Sequence, residues 1–194
     1  MALPVSSKIL ASILTLLLLT LTGCSGGGDS DSENVDPTKK IAFYTPVEAE
    51  DFFMQVPEGW DVIEQFTSNY PPNTVVAFRN NVKDNDFIAN INVVRNDVAE
   101  GTLASDYALQ MFESLRQQMK NFVELDKSSI DITSPIGSTP SYVFEFQGTN
   151  DTATPDRNFI QTYGIKGTKA YIVTGTYDLK DAELAIDQVK KSVK

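Results

Sequence analysis

Histidine is absent from this sequence of 194 residues, and cysteine occurs only once. Without histidine, the side chain that most often serves as general acid or base is missing. One cysteine cannot form an internal disulfide, so no disulfide framework holds the fold. Positive charge is scarce too: 16 Lys and Arg stand against 26 Asp and Glu, giving a net charge of −10. A nucleic-acid-binding surface needs clustered basic residues, so this balance argues against nucleic acid as a partner.

The apolar run from Ile9 to Leu21 follows Lys8 near the start of the chain. Its length fits the hydrophobic part of a signal peptide and falls short of the roughly 20 residues that a spanning helix needs. The run ends in Leu-Thr-Gly-Cys, in which the cysteine is Cys24. An aliphatic residue and two small residues before a thiol resemble a bacterial lipobox, which is cleaved before the cysteine as the thiol takes a diacylglyceryl group. We therefore predict a lipoprotein signal peptide over residues 1–23 and lipidation of Cys24.

Lipidation of Cys24 predicts attachment to membrane lipid, since two or more acyl chains anchor a protein stably. The alternative, a transmembrane anchor with an incidental cysteine, needs several more apolar residues than this run supplies. The residue after Cys24 is Ser25 and not Asp, which fits sorting to the periplasmic face of the outer membrane if the organism has two membranes. With one membrane, the protein is expected on the outer face of the cytoplasmic membrane.

Residues 24–40 are predicted to form a flexible acidic tether. Ser25 to Asn34 contain no large apolar residue, so this stretch cannot offset the entropy cost of folding. Its alternating acids, Asp29, Asp31 and Glu33, lack the glycine and the spaced glutamate of a calcium loop, which favours a solvated spacer. Residues 41–194 then have a size usual for one domain.

The pattern within residues 41–194 predicts antiparallel strands and two helices. Apolar residues recur every four positions from Leu103 to Met119 and would form one stripe on a helix, which predicts a helix over about Thr102 to Lys120. Asp178 is placed to cap a terminal helix, and Lys166 to Lys169 form a glycine-containing turn typical of a hairpin. The fold class is therefore α+β, with an antiparallel sheet packed between helices. The predicted strands are 52–56, 60–66, 74–79, 87–95, 122–125, 129–133, 141–147, 158–165 and 170–177.

Phe52, Pro57, Gly59 and Trp60 form a Phe-x-x-x-x-Pro-x-Gly-Trp pattern around a predicted turn. With the lipobox, the acidic spacer and the order of elements, this pattern resembles the PsbP/DcrB-like bacterial lipoproteins over roughly residues 41–194. The resemblance implies an α–β–α sandwich, shared with the photosystem II subunit PsbP and with a Ran-binding protein. A histidine-based metal site of PsbP relatives does not carry over, because histidine is absent. The lipid tether also replaces the N-terminal segment of the plant protein, so the resemblance implies the fold and not photosystem binding.

The favoured function is a non-catalytic module that needs no cofactor and docks on an envelope protein or binds a small ligand. A stiff apolar loop and two asparagines on one strand face, which we expect to be partly open to water, are the features suited to contact. The candidate contact surface is Tyr70, Pro71, Pro72, Asn73, Asn90 and Asn92.

The alternative is a histidine-free hydrolase or metal-dependent enzyme that uses carboxylates such as Asp84 and Asp86. The domain contains no Gly-x-Ser-x-Gly, Ser-x-x-Lys or phosphate-binding glycine loop, and a solvated loop is the favoured interpretation of the two acids. Carboxylates that converge in one pocket would favour the enzyme, whereas a shallow open sheet face would favour docking.

Overall fold

The computed structural model describes residues 44–49, 52–66, 70–80, 87–134, 137–150, 154–181 and 183–193. The predicted signal peptide and tether, Cys24, Asp84 and Asp86 lie outside these residues. No helix within the described ranges is long and apolar enough to cross a membrane. The elements are β1 (Tyr44–Ala49), β2 (Phe52–Pro57), β3 (Asp61–Ile63), β4 (Thr74–Arg79), β5 (Asn90–Asp97), α1 (Ala104–Gln118), β6 (Lys120–Ser134), β7 (Gly137–Thr149), β8 (Arg157–Lys166), β9 (Lys169–Tyr177) and α2 (Glu183–Val193).

Seven strands form one antiparallel sheet in the order β3-β4-β5-β9-β8-β7-β6, and β1 pairs with β2 in a separate ribbon. Helix α1 packs on one face of the sheet, mainly over β7 and β8. Helix α2 and strand β2 pack together, and their side chains share one core with the opposite face. The predicted α+β fold, with an antiparallel sheet between helices, is confirmed.

The α1 face of the sheet carries an aromatic core. Its strands place Phe144, Phe146 and Tyr163 against the apolar stripe of α1, because side chains on alternate strand residues share a face. The rings of Phe112 on α1 and Phe144 on β7 stack with centroids 3.9 Å apart. The predicted periodicity of α1 is therefore confirmed, and this packing fixes the helix over β7 and β8.

The helix is shorter than predicted at both ends. It begins at Ala104 and not at Thr102, since Gly101 takes a positive φ of 78° in the turn before it. Leu103 belongs to the predicted stripe but is 58% exposed, because it precedes the first helical turn that faces the sheet. The helix ends at Gln118, and Lys120 already pairs in β6.

The α2 face is closed by the turn between β2 and β3 as well as by the helix. Trp60 follows the turn, its backbone N–H donates to the Pro57 carbonyl at 3.3 Å, and its side chain is buried. Gly59 takes a φ of 83°, which glycine adopts without strain. Deeper in this core, Val189 packs over β9, and Lys190 Nζ lies 2.7 Å from Glu145 Oε2.

Three strand predictions are corrected by pairing. Strands 122–125 and 129–133 are one strand, β6, because β7 pairs along its whole length, including the polar residues between them, with two register shifts near the start of β6. The strand predicted at 60–66 is only Asp61–Ile63, since it pairs with β4 over three positions. The strand predicted at 87–95 begins at Asn90 and runs to Asp97, and the apolar residue Phe87 is buried ahead of it beneath Arg157.

The C-terminal part gives one correction and one confirmation. Asp178 accepts a hydrogen bond from the Lys180 backbone N–H at 3.0 Å, which closes a turn, while α2 begins only at Glu183. It therefore does not cap the helix. The predicted hairpin is confirmed, with Lys166 paired to Lys169 and Gly167 at a φ of 60°.

Candidate functional site

Three polar side chains on neighbouring strands form a row across the α1 face. Asn92 on β5 pairs in register with Thr174 on β9, which pairs with Gln161 on β8. All three are buried, at positions where an apolar residue would continue the core. We refer to Asn92, Thr174 and Gln161 as the polar row.

Unfilled space of about 450 Å³, including the part that opens to solvent, lies over the polar row beside α1. We call it the α1-face pocket. Half of its lining is apolar, from Pro71, Val94, Met111, Leu115 and Ile172. The polar half consists of Asn92, Asn96, Gln161, Tyr163 and Thr174, so no charged side chain of the described chain lines it.

Two members of the polar row are held by hydrogen bonds. Gln161 Nε2 donates to Thr174 Oγ1 at 2.7 Å, and the Tyr163 hydroxyl donates to Gln161 Oε1. Burial, together with the neighbouring Tyr107, raises the pKa of Tyr163 well above its usual value. Tyr163 therefore stays protonated at neutral pH and serves as a fixed donor.

A second chain of hydrogen bonds ties the loop before β4 to the pocket rim. Asn96 Nδ2 donates to the Tyr107 hydroxyl at 3.2 Å, and Asn73 Nδ2 donates to Asn96 Oδ1 at 3.3 Å. Asn73 takes a φ of 66°, which Asn tolerates better than most residues. Thr74 Oγ1 donates to the Pro71 carbonyl at 2.7 Å, so Pro71 is held at the rim.

Asn92 differs from the other polar side chains of the pocket. It is only 8% exposed, and its Oδ1 has no hydrogen-bond partner among the residues that the structure describes. A buried acceptor without a partner costs on the order of 1–3 kcal/mol. The α1-face pocket therefore contains a buried carbonyl oxygen that the described fold leaves without a hydrogen bond.

The predicted contact surface is partly assembled here. Pro71 and Asn92 line the pocket, and Asn73 joins them through Asn96. Asn90 lies two residues before Asn92 on the same strand face, and its Nδ2 donates to the Ile88 carbonyl at 3.0 Å. Tyr70 is half-buried against Phe66, while Pro72 is exposed.

One expectation about this face holds only in part. The asparagine face of β5 was expected to be partly open to water, and Asn90 is half-buried, but Asn92 is buried. The pocket lining explains this, since Met111 and Leu115 of α1 and Pro71 of the loop lie around it. A shallow open face is therefore replaced by a partly enclosed pocket.

Sequence reasoning missed Asn96, Tyr107, Gln161, Tyr163 and Thr174. A weak signal was available, because Gln161 and Thr174 interrupt otherwise apolar alternation in their strands. Only the order β5-β9-β8 brings them beside Asn92.

Carboxylates do not converge in the pocket within the described chain. Asp84 and Asp86, the acids of the alternative hypothesis, lie outside it, so that prediction is untested. No group of three or more Cys, Asp or Glu side chains that could hold a metal ion occurs in the described ranges. One acidic pair does form, where Asp181 accepts from the Asp178 backbone N–H at 2.6 Å, but Arg157 neutralises Asp178.

Comparison with known proteins supports the fold. No family model and no curated protein matches the chain. The cyanobacterial PsbP of Synechocystis, CyanoP, is similar in structure, with a TM-score of 0.53 and 12% identity over 89% of this chain and 95% of that one. A Pseudomonas aeruginosa protein of unknown function, for which a regulatory role has been suggested, gives a TM-score of 0.49 and 15% identity over 78% and 96%. The chain thus has a PsbP-like fold, and its relation to the DcrB-like lipoproteins stays a prediction.

Proposed function

We propose that the protein is a lipid-anchored lipoprotein of the bacterial envelope whose domain binds a small molecule in the α1-face pocket and performs no chemistry. The observation that carries the proposal is Asn92, a buried amide that lines the pocket without a partner in the described chain. Protein interiors are close-packed and their buried polar groups are paired. Unfilled space beside an unpaired amide is the arrangement that a ligand would complete.

The lining of the pocket supports binding over catalysis. Amide and threonine side chains do not exchange protons near neutral pH, and the pKa of Tyr163 is raised by burial. The hydroxyl of Tyr163 is also committed to Gln161, and Gln161 to Thr174. Each group is thereby fixed in position, which serves recognition.

The proposed anchor places the pocket close to a membrane. A tether over residues 24–40 would reach between about 20 Å as a flexible coil and about 55 Å when fully extended. An acidic domain on such a tether is repelled by anionic lipid, which keeps its pocket in solution. An envelope protein within this radius is the docking partner expected from the sequence.

Anchoring is tested by feeding alkyne-palmitate to bacteria that express the full chain. We expect label on the natural sequence and none on Cys24→Ser. The Cys24→Ser variant should also lack the mature N-terminus, because it is not cleaved before residue 24. Ser25→Asp is the matched control: it should keep the label and, in a two-membrane host, shift the protein to the inner membrane. Label on Cys24→Ser would contradict the anchor.

Binding is tested through the methionine methyl groups, labelled with ¹³C in the full chain. Met111 lines the pocket, whereas Met119 lies in the same core outside the lining and Met54 lies in the α2-face core. A neutral fragment library should therefore shift the Met111 signal and leave the other two in place. A library that never shifts Met111 would contradict a binding function.

A pocket-filling variant gives the matched control for the fragment experiment. Leu115→Phe extends a lining side chain into the space and should abolish the Met111 shifts. Leu109→Phe adds the same ring to α1 at an exposed position and should preserve them. Equal behaviour of the two variants would place the binding elsewhere.

A further inference from the structure

We propose that the α1-face pocket selects uncharged carboxamides with a compact apolar body, which pair with the amide of Asn92, and that it rejects ions of the same shape. The inference rests on the proposed function, because it names the class of ligand for that pocket. Three observations lead to it: the charge of the lining, the hydrogen bonds already made there, and the placement of its apolar side chains.

The charge of the lining favours a neutral ligand. Charged residues make up 22% of the chain, yet none of the ten described side chains around the pocket is charged. An ion that entered would lose its hydration and meet no opposite charge, which is among the most costly transfers in proteins. A molecule without net charge avoids this penalty.

The hydrogen bonds already made determine which group is left to recognise the ligand. Gln161 and Tyr163 engage each other, and Asn96 engages Tyr107. The buried Oδ1 of Asn92 has no partner in the described chain, so the amide offers an open acceptor beside its Nδ2 donors. A carboxamide presents the complementary set, one carbonyl acceptor beside an N–H donor, and pairs with an amide through two hydrogen bonds.

The apolar side chains set the shape of the rest of the ligand. Val94 and Ile172 lie in the sheet on either side of the β5–β9 seam, and Met111 and Leu115 face them from α1. A flat or compact hydrocarbon group would lie between helix and sheet with its polar end at Asn92. Pro71 lies at the rim, where the pocket meets the loop.

The experiment uses four probes that share one phenyl ring: benzamide, acetophenone, benzoate and benzamidinium. Acetophenone is neutral but lacks the N–H donor, and the last two carry opposite charges. Each is titrated into the full-length chain in detergent micelles, with free probe fixed by dialysis and the Met111 methyl signal as readout. We expect benzamide to bind about tenfold more tightly than each of the others, as one missing hydrogen bond to a buried group predicts.

Variants at Asn92 assign the preference to its amide. Asn92→Leu should make benzamide and acetophenone bind equally, and Asn92→Asp should shift the preference to benzamidinium. Asn92→Ser, which removes the amide with little change to the core, replaces either variant if it fails to fold. Asn90→Leu changes the same residue type on the same strand outside the pocket lining, and should keep the tenfold preference.

Each failure has a separate meaning. If all four probes shift Met111 alike and Leu115→Phe abolishes the shifts, the pocket binds small molecules but the carboxamide preference is wrong. If benzoate binds best, the neutral-ligand inference is overturned in the same way. If no probe shifts Met111, the pocket holds only water, and both this inference and the proposed function fail.

Discussion

The two faces of the one sheet are built for different tasks. On the α2 face the side chains approach so closely that Gly175 of β9 has no room for a side chain beneath Val189. The buried carboxylate on that face, Glu145, is paired with Lys190. On the α1 face the same strands present a polar row, unfilled space and the unpaired amide of Asn92.

This difference separates stability from recognition within a single layer of strands. A strand alternates its side chains between faces, so β9 can place Gly175 toward α2 and Thr174 toward α1 in consecutive positions. Close packing on the α2 face stabilises the fold, whereas the pocket and the unpaired oxygen of Asn92 make the α1 face less stabilising. From this difference between the two faces we predict that substitutions at the close contacts of the α2 face destabilise the protein, whereas loss of the unpaired amide on the α1 face stabilises it.

The largest expected effect comes from Gly175→Ala. An added Cβ would lie well inside contact distance of Val189 Cγ1 and 2.9 Å from Ile160 Cγ2. We expect a loss of about 3 kcal/mol in the free energy of unfolding, measured with urea and the fluorescence of Trp60. The double variant Gly175→Ala, Val189→Ala should recover part of this loss in the free energy of unfolding.

Gly164→Ala is the matched control, since its Cβ would meet only Ile132 Cγ2 at 3.8 Å. That change should alter the free energy of unfolding by less than about 1 kcal/mol. Both glycines face α2, so equal losses at positions 164 and 175 would show that the close contact with Val189 is not what makes position 175 sensitive.

An intermediate effect, of opposite sign at two positions, is expected on β5. Asn96→Leu removes a donor to Tyr107 and an acceptor for Asn73, and should lower the free energy of unfolding by about 1–2 kcal/mol. Asn92→Leu removes an amide that has no partner in the described chain and should raise it by about 1 kcal/mol. Urea unfolding at pH 7 measures both, and destabilisation by Asn92→Leu would contradict the division of tasks.

The smallest expected effect is a dependence on alkaline pH. Burial raises the pKa of Tyr163 well above the usual 10.0, so the folded chain keeps a proton that the unfolded chain releases near pH 10. Stability from this group is complete near pH 8 and falls as pH rises, by about 0.4 kcal/mol at pH 10 for a half-ionised unfolded tyrosine.

Two tyrosine variants, one on each face of the sheet, test whether this loss of stability at alkaline pH comes from the α1 face. Tyr163→Phe should remove its share of the decline in the free energy of unfolding between pH 8 and pH 10. Tyr177→Phe on the α2 face should remove less, because burial raises the pKa of Tyr177 while the nearby Lys190 lowers it. A larger change from Tyr177→Phe would reverse the assignment.

Much of the fold follows from periodicity alone. The stripe on α1, the hairpin at Gly167 and the turn before Trp60 each depend on residues close in sequence, and each is found. Strand β1 was missed because Pro46 interrupts its pattern, and proline is tolerated in a strand that pairs on one side only. The continuity of β6 was missed because it depends on pairing with β7 and not on its own sequence.

The candidate site is less accessible to sequence reasoning. The spacing of Asn90 and Asn92 within apolar residues marks β5 as unusual, and the second of these lies in the pocket. Gln161 and Thr174 lie 69 and 82 positions further along the chain, and no local pattern states that their strands adjoin β5. Adjacency of distant strands is a property of the packed sheet, so the pocket appears only in three dimensions.

The seam between β5 and β9 has a consequence for the order in which the protein is assembled. The strands of each half follow one another as neighbours, but this seam joins residues that are at least 72 positions apart, from Asp97 with Lys169 to Asn90 with Thr176. Closing so long a loop is slow. The seam also cannot form until β9 has been synthesised and has emerged from the ribosome. Asn92 and Thr174 face each other across the seam. An occupied pocket would therefore report that the two halves of the sheet have joined.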